Sequence, residues 1–155
     1  MPDSLSQYLQ HTIDRELPHL RALTDEQASH SLRGGWTRKQ ELGHLIDSAA
    51  NNHVRFVVAT LQKSYQGSTY DPDGWVALHG YSHLPWPTIV DFWYQYNSML
   101  AQLIWNIAED KLEHQCEIGD SAPISLGFLI EDYVLHMQHH IDQLMGREIV
   151  TKYPA

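Results

Sequence analysis

The sequence predicts an all-α protein built as a four-helix bundle. Apolar residues recur at helical spacing in four stretches, each about 20 residues long. Two short links and one long one join these stretches, the pattern of a bundle with a single crossover.

The first helix is expected over residues 4–23, where Leu5, Leu9, Thr12, Ile13, Leu17 and Leu20 fall on one side. Pro18 should bend or divide it, because proline removes a backbone donor. Thr24-Asp25-Glu26-Gln27 reads as a cap followed by one short turn. Arg33-Gly34-Gly35-Trp36 is a glycine-punctuated link, and Thr37 with Gln40 forms a capping box. The second helix should run from 38 to 63, with Leu42, Leu45, Ile46, Ala49, Phe56, Val57 and Leu61 as its apolar side.

Residues 64–87 carry Gly67, Pro72, Gly74, Gly80, Pro85 and Pro87, which break any long element, although 75–79 can make a turn of helix. This link is rich in aromatic residues, and ordered links of such length tend to be functional. If it runs the length of the bundle, helices two and three lie parallel. A third helix is expected over 88–109 through Ile89, Trp93, Tyr96, Leu100, Leu103 and Ile107. Residues 110–120 form a polar link with an extended turn at Cys116-Glu117-Ile118. The fourth helix starts at Ser121 or Ser125 and ends near Gly146.

A chain of 155 residues fits one domain, residues 1–155, with a core that needs no staples. Its 43% hydrophobic content argues against disorder. The net charge of −9, without a basic patch, disfavours nucleic acid as a partner. Cys116 is the single cysteine, so neither an intrachain disulfide nor a cysteine metal knuckle is available. No apolar run approaches the ~20 residues of a spanning helix, and the first residues are unlike a signal peptide. A cytoplasmic protein without a membrane partner is the expectation.

The most informative segment is His136-Met137-Gln138-His139-His140. His136 and His140 are four residues apart, so they share a helix face with Leu129, Tyr133 and Leu144. Imidazoles in an apolar stripe must be satisfied, because unpaired buried polar groups are costly. A core histidine bonded to a carbonyl, with the other reaching solvent, would satisfy the pattern. A metal shared with His44 of the second helix would satisfy it too. His44 follows Gly43, whose lack of a side chain permits close approach. Three imidazoles plus an open position suit a catalytic metal, with zinc and nickel both compatible.

One and more turns beyond His44 lie Ser48, Asn51 and Arg55, a polar track on which Arg55 can hold an anionic group. Asp47 can orient a ligand histidine or belong to a polar edge. Tyr133 can donate to a substrate or simply pack. No paired glutamates match a di-iron site, and Cys116 has no adjacent base. Gly34-Gly35 lacks the lysine and strand of a phosphate loop.

Arg33-Gly34-Gly35-Trp36-Thr37, then Gly43-His44-Leu45-Ile46-Asp47-Ser48, Asn51 and Arg55-Phe56, resemble the DinB-like superfamily. Tyr70-Asp71 and His136-Met137-Gln138-His139-His140-Ile141 extend that resemblance over roughly residues 5–146. The nearest branch is similar to YfiT-type metal-dependent hydrolases, relatives of the bacillithiol transferases. The resemblance implies a four-helix bundle of up-down-down-up order, often dimeric. It also implies a metal on His44, His136 and His140, with Asn51 and Arg55 beside it. Ala49-Ala50 departs from that branch, which can carry bulkier or polar residues there.

The expected function is therefore metal-dependent hydrolysis or S-transfer from a low-molecular-weight thiol to a small-molecule electrophile. Asn51, Arg55 and Tyr133 would serve the chemistry. A non-enzymatic binding or assembly module, stabilised by metal, is the rival reading.

Overall fold

The computed structural model describes residues 4–151 and 153. Four long helices form its core: α1 (Leu5–Arg21), α3 (Arg38–Leu61), α5 (Trp86–Trp105) and α6 (Leu126–Met145). Two short helices, α2 (Asp25–Ala28) and α4 (Pro72–His79), lie in the links. Ser4, Thr24, Thr37 and Ser125 each cap a helix by accepting from a backbone N–H three residues on. Such caps fix helix starts because the first-turn donors have no partner within the helix.

Pro18 lies inside α1 without dividing it. Pro18 and Asp14 are both exposed, so water can satisfy the carbonyl that proline leaves unpaired. The α5 helix starts two residues before its expected position. Pro87 occupies the first helical turn, where a missing N–H costs nothing.

The α1 and α3 helices each pack against both α5 and α6. Leu9, Leu42, Phe56, Trp86, Trp93, Leu100 and Ile130 fill the shared interior. The crossover folds onto α3, where the Tyr81 ring lies so close to Gly43 that a Cβ there would stand 2.2 Å from it. Gly43 therefore serves the approach of Tyr81 to the helix.

A small sheet accompanies the bundle, in the order β1 (Ser64–Gly67), β2 (Gln115–Ile118) and β3 (Ile124–Ser125). The β1 and β2 strands are parallel, and β3 is antiparallel to β2. The extended turn at Cys116 is thus the middle strand, with Cys116 fully buried. Strands of two to four residues carry too little alternation to announce themselves in sequence. Among the described residues, no helix is long and apolar enough to cross a membrane.

Candidate metal centre

The α6 helix presents His136 and His140 from successive turns toward α3, which supplies His44. One nitrogen of each ring falls within 4.8 Å of the others. Nε2 of His44 and Nε2 of His136 are 3.2 Å apart. Ring centroids lie 4.5 Å apart for His136 and His140, and 4.6 Å apart for His44 and His140.

This donor set fits a divalent metal ion. Two imidazole nitrogens bound at about 2.0–2.1 Å with tetrahedral angles would be roughly 3.3 Å apart, close to the spacing of His44 and His136. Burial lowers the His44 pKa to about 4, with the His140 charge adding to the effect. Burial lowers His136 further, to about 2, helped by the charges of His140, His44 and His139. Both rings are therefore neutral at pH 7, with a lone pair to offer a cation. Among the described residues the cluster contains three such side chains and no fourth, which leaves a coordination position free.

Three neighbours fix the rings. Glu41 Oε2 lies 2.9 Å from Nδ1 of His140, with both side chains largely covered. Trp36, from the link before α3, packs on His44 at 4.9 Å between centroids. Tyr153 packs on His136 at 4.9 Å. A cavity of about 210 Å³ reaches His140 and Glu41 from the side of Arg33, Gly35 and Trp36.

Asp47 has a different place from the one its spacing suggested. Its Oδ1 accepts from the Tyr81 hydroxyl at 2.6 Å and lies 3.0 Å from Nδ1 of His79. It ties the crossover to α3, and Glu41 does the orienting of a ligand-type histidine instead. Glu41 stands three residues before His44, on the same side of α3, and that spacing is the signal for it.

Farther along α3, Arg55 is 9% exposed. It donates to Ser68 O at 2.8 Å and faces the Tyr70 ring at 5.9 Å. Among the described residues no carboxylate lies within ion-pair distance of it. Burial lowers its pKa, and no carboxylate among the described residues offsets that cost. Burial raises the Tyr70 hydroxyl, with Ser48 offsetting part of that rise, and Asn52 donates to Ser48 O at 2.9 Å.

Asn51 donates to Asp47 O at 2.9 Å, within its own helix. Tyr133 is placed in the core: its hydroxyl donates to Asn97 Oδ1 at 2.5 Å and its ring meets Phe56 edge-on. The structure thus brings together His44, His136 and His140, and directs Tyr133 toward α5. Trp36, Glu41, Asn52 and Tyr153 are neighbours that sequence spacing did not single out.

A family model for the DinB superfamily matches residues 8–144. The chain belongs to the DinB superfamily. Among DinB relatives, one from Oceanobacillus iheyensis, named as a candidate metal-dependent hydrolase, is 29% identical over 120 residues, covering 77% of this chain and 69% of that protein. A similarly named Bacillus cereus protein is 27% identical over 107 residues, and those residues make up 69% of this chain but only 61% of the relative. YfiT from Bacillus subtilis, described as a probable metal-dependent hydrolase with an unusual four-helix bundle topology, shares the fold. Its TM-score is 0.81 at 23% identity, over 93% of this chain and 87% of YfiT. A mycothiol-dependent maleylpyruvate isomerase shares the fold at a TM-score of 0.72 and 14% identity, over 90% of this chain and 59% of the isomerase.

Proposed function

We propose that this DinB-superfamily chain is a metal-dependent enzyme, acting as a hydrolase or as a low-molecular-weight-thiol transferase on a small molecule. The observation that carries the reading is the three-histidine cluster, which has no fourth protein ligand among the described residues. A structural site would close its coordination with protein side chains, whereas a catalytic one keeps a position for water or substrate. The relatives named as metal-dependent hydrolases support the reading, as does the fold shared with a thiol-dependent isomerase.

His44, His136 and His140 would hold the ion, with zinc or nickel as our assignment from the all-nitrogen donor set. A bound divalent ion supplies Lewis acidity, which lowers the pKa of a water or thiol in the open position. Glu41 orients His140 and raises its basicity through Nδ1. Arg55 takes an anionic group of the substrate, and Tyr70 and Asn51 border that group. Glu41 is bonded to His140, and Asp47 is tied through Oδ1 to Tyr81 and His79 of the crossover. Asp132 stands one turn before His136 on α6, without a hydrogen bond or ion pair among the described residues, and burial raises its carboxyl. We assign Asp132 as the group that accepts the proton from water or thiol. Tyr133, bonded to Asn97, is assigned to packing.

The same reading takes the molecule as a homodimer with no nucleic-acid partner; the net charge of −9 supports the second point. The parallel pairing of β1 and β2, which follow α3 and α5, supports an up-down-down-up helix order.

The test is metal analysis of tag-free protein beside a His136→Ala variant, followed by turnover. One equivalent in the wild type and loss in the variant are expected. Equal, substoichiometric metal in both would sink the proposal. Turnover is then sought with thiols against alkylating and epoxide electrophiles, and with amide and ester substrates; an Asp132→Asn variant should lose most of whichever activity appears.

A further inference from the structure

The chain does not run straight on after α6. Gly146 adopts φ +71, which closes the helix and turns the backbone, and the Arg147 amide donates to Asp142 O at 2.9 Å. The Arg147 guanidinium then clamps two helices. It meets Glu16 of α1 at 2.5 and 2.9 Å and Asp142 of α6 at 3.1 Å. Both carboxylates are buried, so this anchor is firm.

Beyond that anchor the Tyr153 ring lies on His136 of α6. His136 stands nine residues before Met145, about 14 Å along the helix axis. Eight residues can span up to ~26 Å when extended, so His136 is within reach of Tyr153 from the Gly146 turn. Tyr153 also meets His139, at 6.0 Å between centroids. Asp132, Tyr70 and Arg55 all lie near enough to act electrostatically on its hydroxyl. Its ring therefore covers His136, with the buried guanidinium of Arg55 within electrostatic reach of its hydroxyl.

We propose that Tyr153 is a specificity-determining residue of the histidine centre, the aromatic wall between the reacting atoms and the Arg55 anion site. The inference rests on the metal reading given above. It narrows the substrate to an anionic compound with a planar or apolar segment between its anionic group and its reacting atom. Such a segment lies flat on the phenol ring while the two polar ends reach Arg55 and the ion. A bulky, fully hydrated segment would have to displace the ring.

The test uses full-length protein loaded with cobalt(II), as wild type, Tyr153→Ala and Tyr153→Phe. Two readouts are taken: the rate at which a chelator removes the ion, and the affinity for imidazole read from the visible spectrum. Tyr153→Ala should lose cobalt several-fold faster and bind imidazole several-fold more tightly, while Tyr153→Phe stays near the wild type. Arg147→Ala, which frees the anchor without touching a histidine, should imitate Tyr153→Ala. A wild type that holds no stoichiometric cobalt overturns the metal reading and this inference with it. A loaded wild type indistinguishable from Tyr153→Ala in both readouts overturns the inference alone. So does a Tyr153→Phe variant as leaky as Tyr153→Ala, because the ring would then not be the barrier.

Discussion

Glu41 Oε2 accepts the Nδ1 proton of His140 across 2.9 Å, and this contact leaves Nε2 as the ring's unengaged nitrogen. The pair joins the first turns of α3 to α6 on the side where His44 and His136 face each other. A carboxylate so placed fixes the tautomer and makes the ring a stronger ligand. Glu41→Gln should weaken metal binding by roughly 10- to 100-fold, the usual cost of removing such a partner. A chelator-competition titration reads this directly. Unchanged affinity would reduce Glu41 to a helix-pairing role.

The histidines also set a pH dependence. Burial holds His44 at about 4 and His136 at about 2, both below the ordinary histidine value of 6.5. In the unfolded chain these rings take up protons near pH 6.5, while in the fold they stay neutral. The unfolded state therefore binds more protons over the window between, and stability rises with pH there. Metal-free protein should lose thermal stability steadily as pH falls from 7 toward 4. His136→Gln should flatten that profile. A melting temperature that stays level between pH 7 and 5 in metal-free wild type would contradict the burial of these rings.

Gly43 was legible in sequence as a point of close approach, but not what approaches. The Tyr81 ring does, from a crossover that sequence periodicity could not position. The same boundary runs through the whole molecule. Four helices could be read because their apolar faces recur over many turns, and Thr37 and Ser125 mark two starts. His44, His136 and His140 could be read because imidazoles on apolar faces demand partners. Asp47, by contrast, shares nearly the same helical face as His44, yet turns to Tyr81 and His79. Its partners come from residues more than thirty positions away, and helical spacing carries no information about them. Tyr153 lies beyond the last periodic segment altogether, where only the Gly146 turn and the Arg147 clamp direct the chain.

Gly43→Ala follows from that contact. A Cβ at 2.2 Å from the Tyr81 ring requires the ring, and the link that carries it, to move off α3. Forcing extra volume into a packed contact costs about 1–3 kcal/mol. Alanine's better helix propensity returns less than ~1 kcal/mol of this. Urea unfolding should show a net loss. Because Tyr81 also bonds Asp47, the variant should expose the crossover to limited proteolysis; a variant as stable as the wild type would mean that the ring repacks freely.

Arg55 separates stability from function most cleanly. It is 9% exposed, bonded to Ser68 O, and has no carboxylate within ion-pair distance among the described residues. Keeping a guanidinium buried without an anion opposes folding, and apolar replacements of buried charges are often neutral or stabilising. Arg55→Met loses the bond to Ser68 but also sheds the desolvation cost. Its stability should stay within about 1 kcal/mol of the wild type or rise above it. Binding of a carboxylate-bearing substrate or inhibitor should fall by roughly 10- to 100-fold, the contribution of charged hydrogen bonds. Chemical denaturation and calorimetric titration on one preparation read both quantities. A variant that unfolds readily while its residual folded fraction binds anions normally would make Arg55 a structural cation and move the anion site elsewhere.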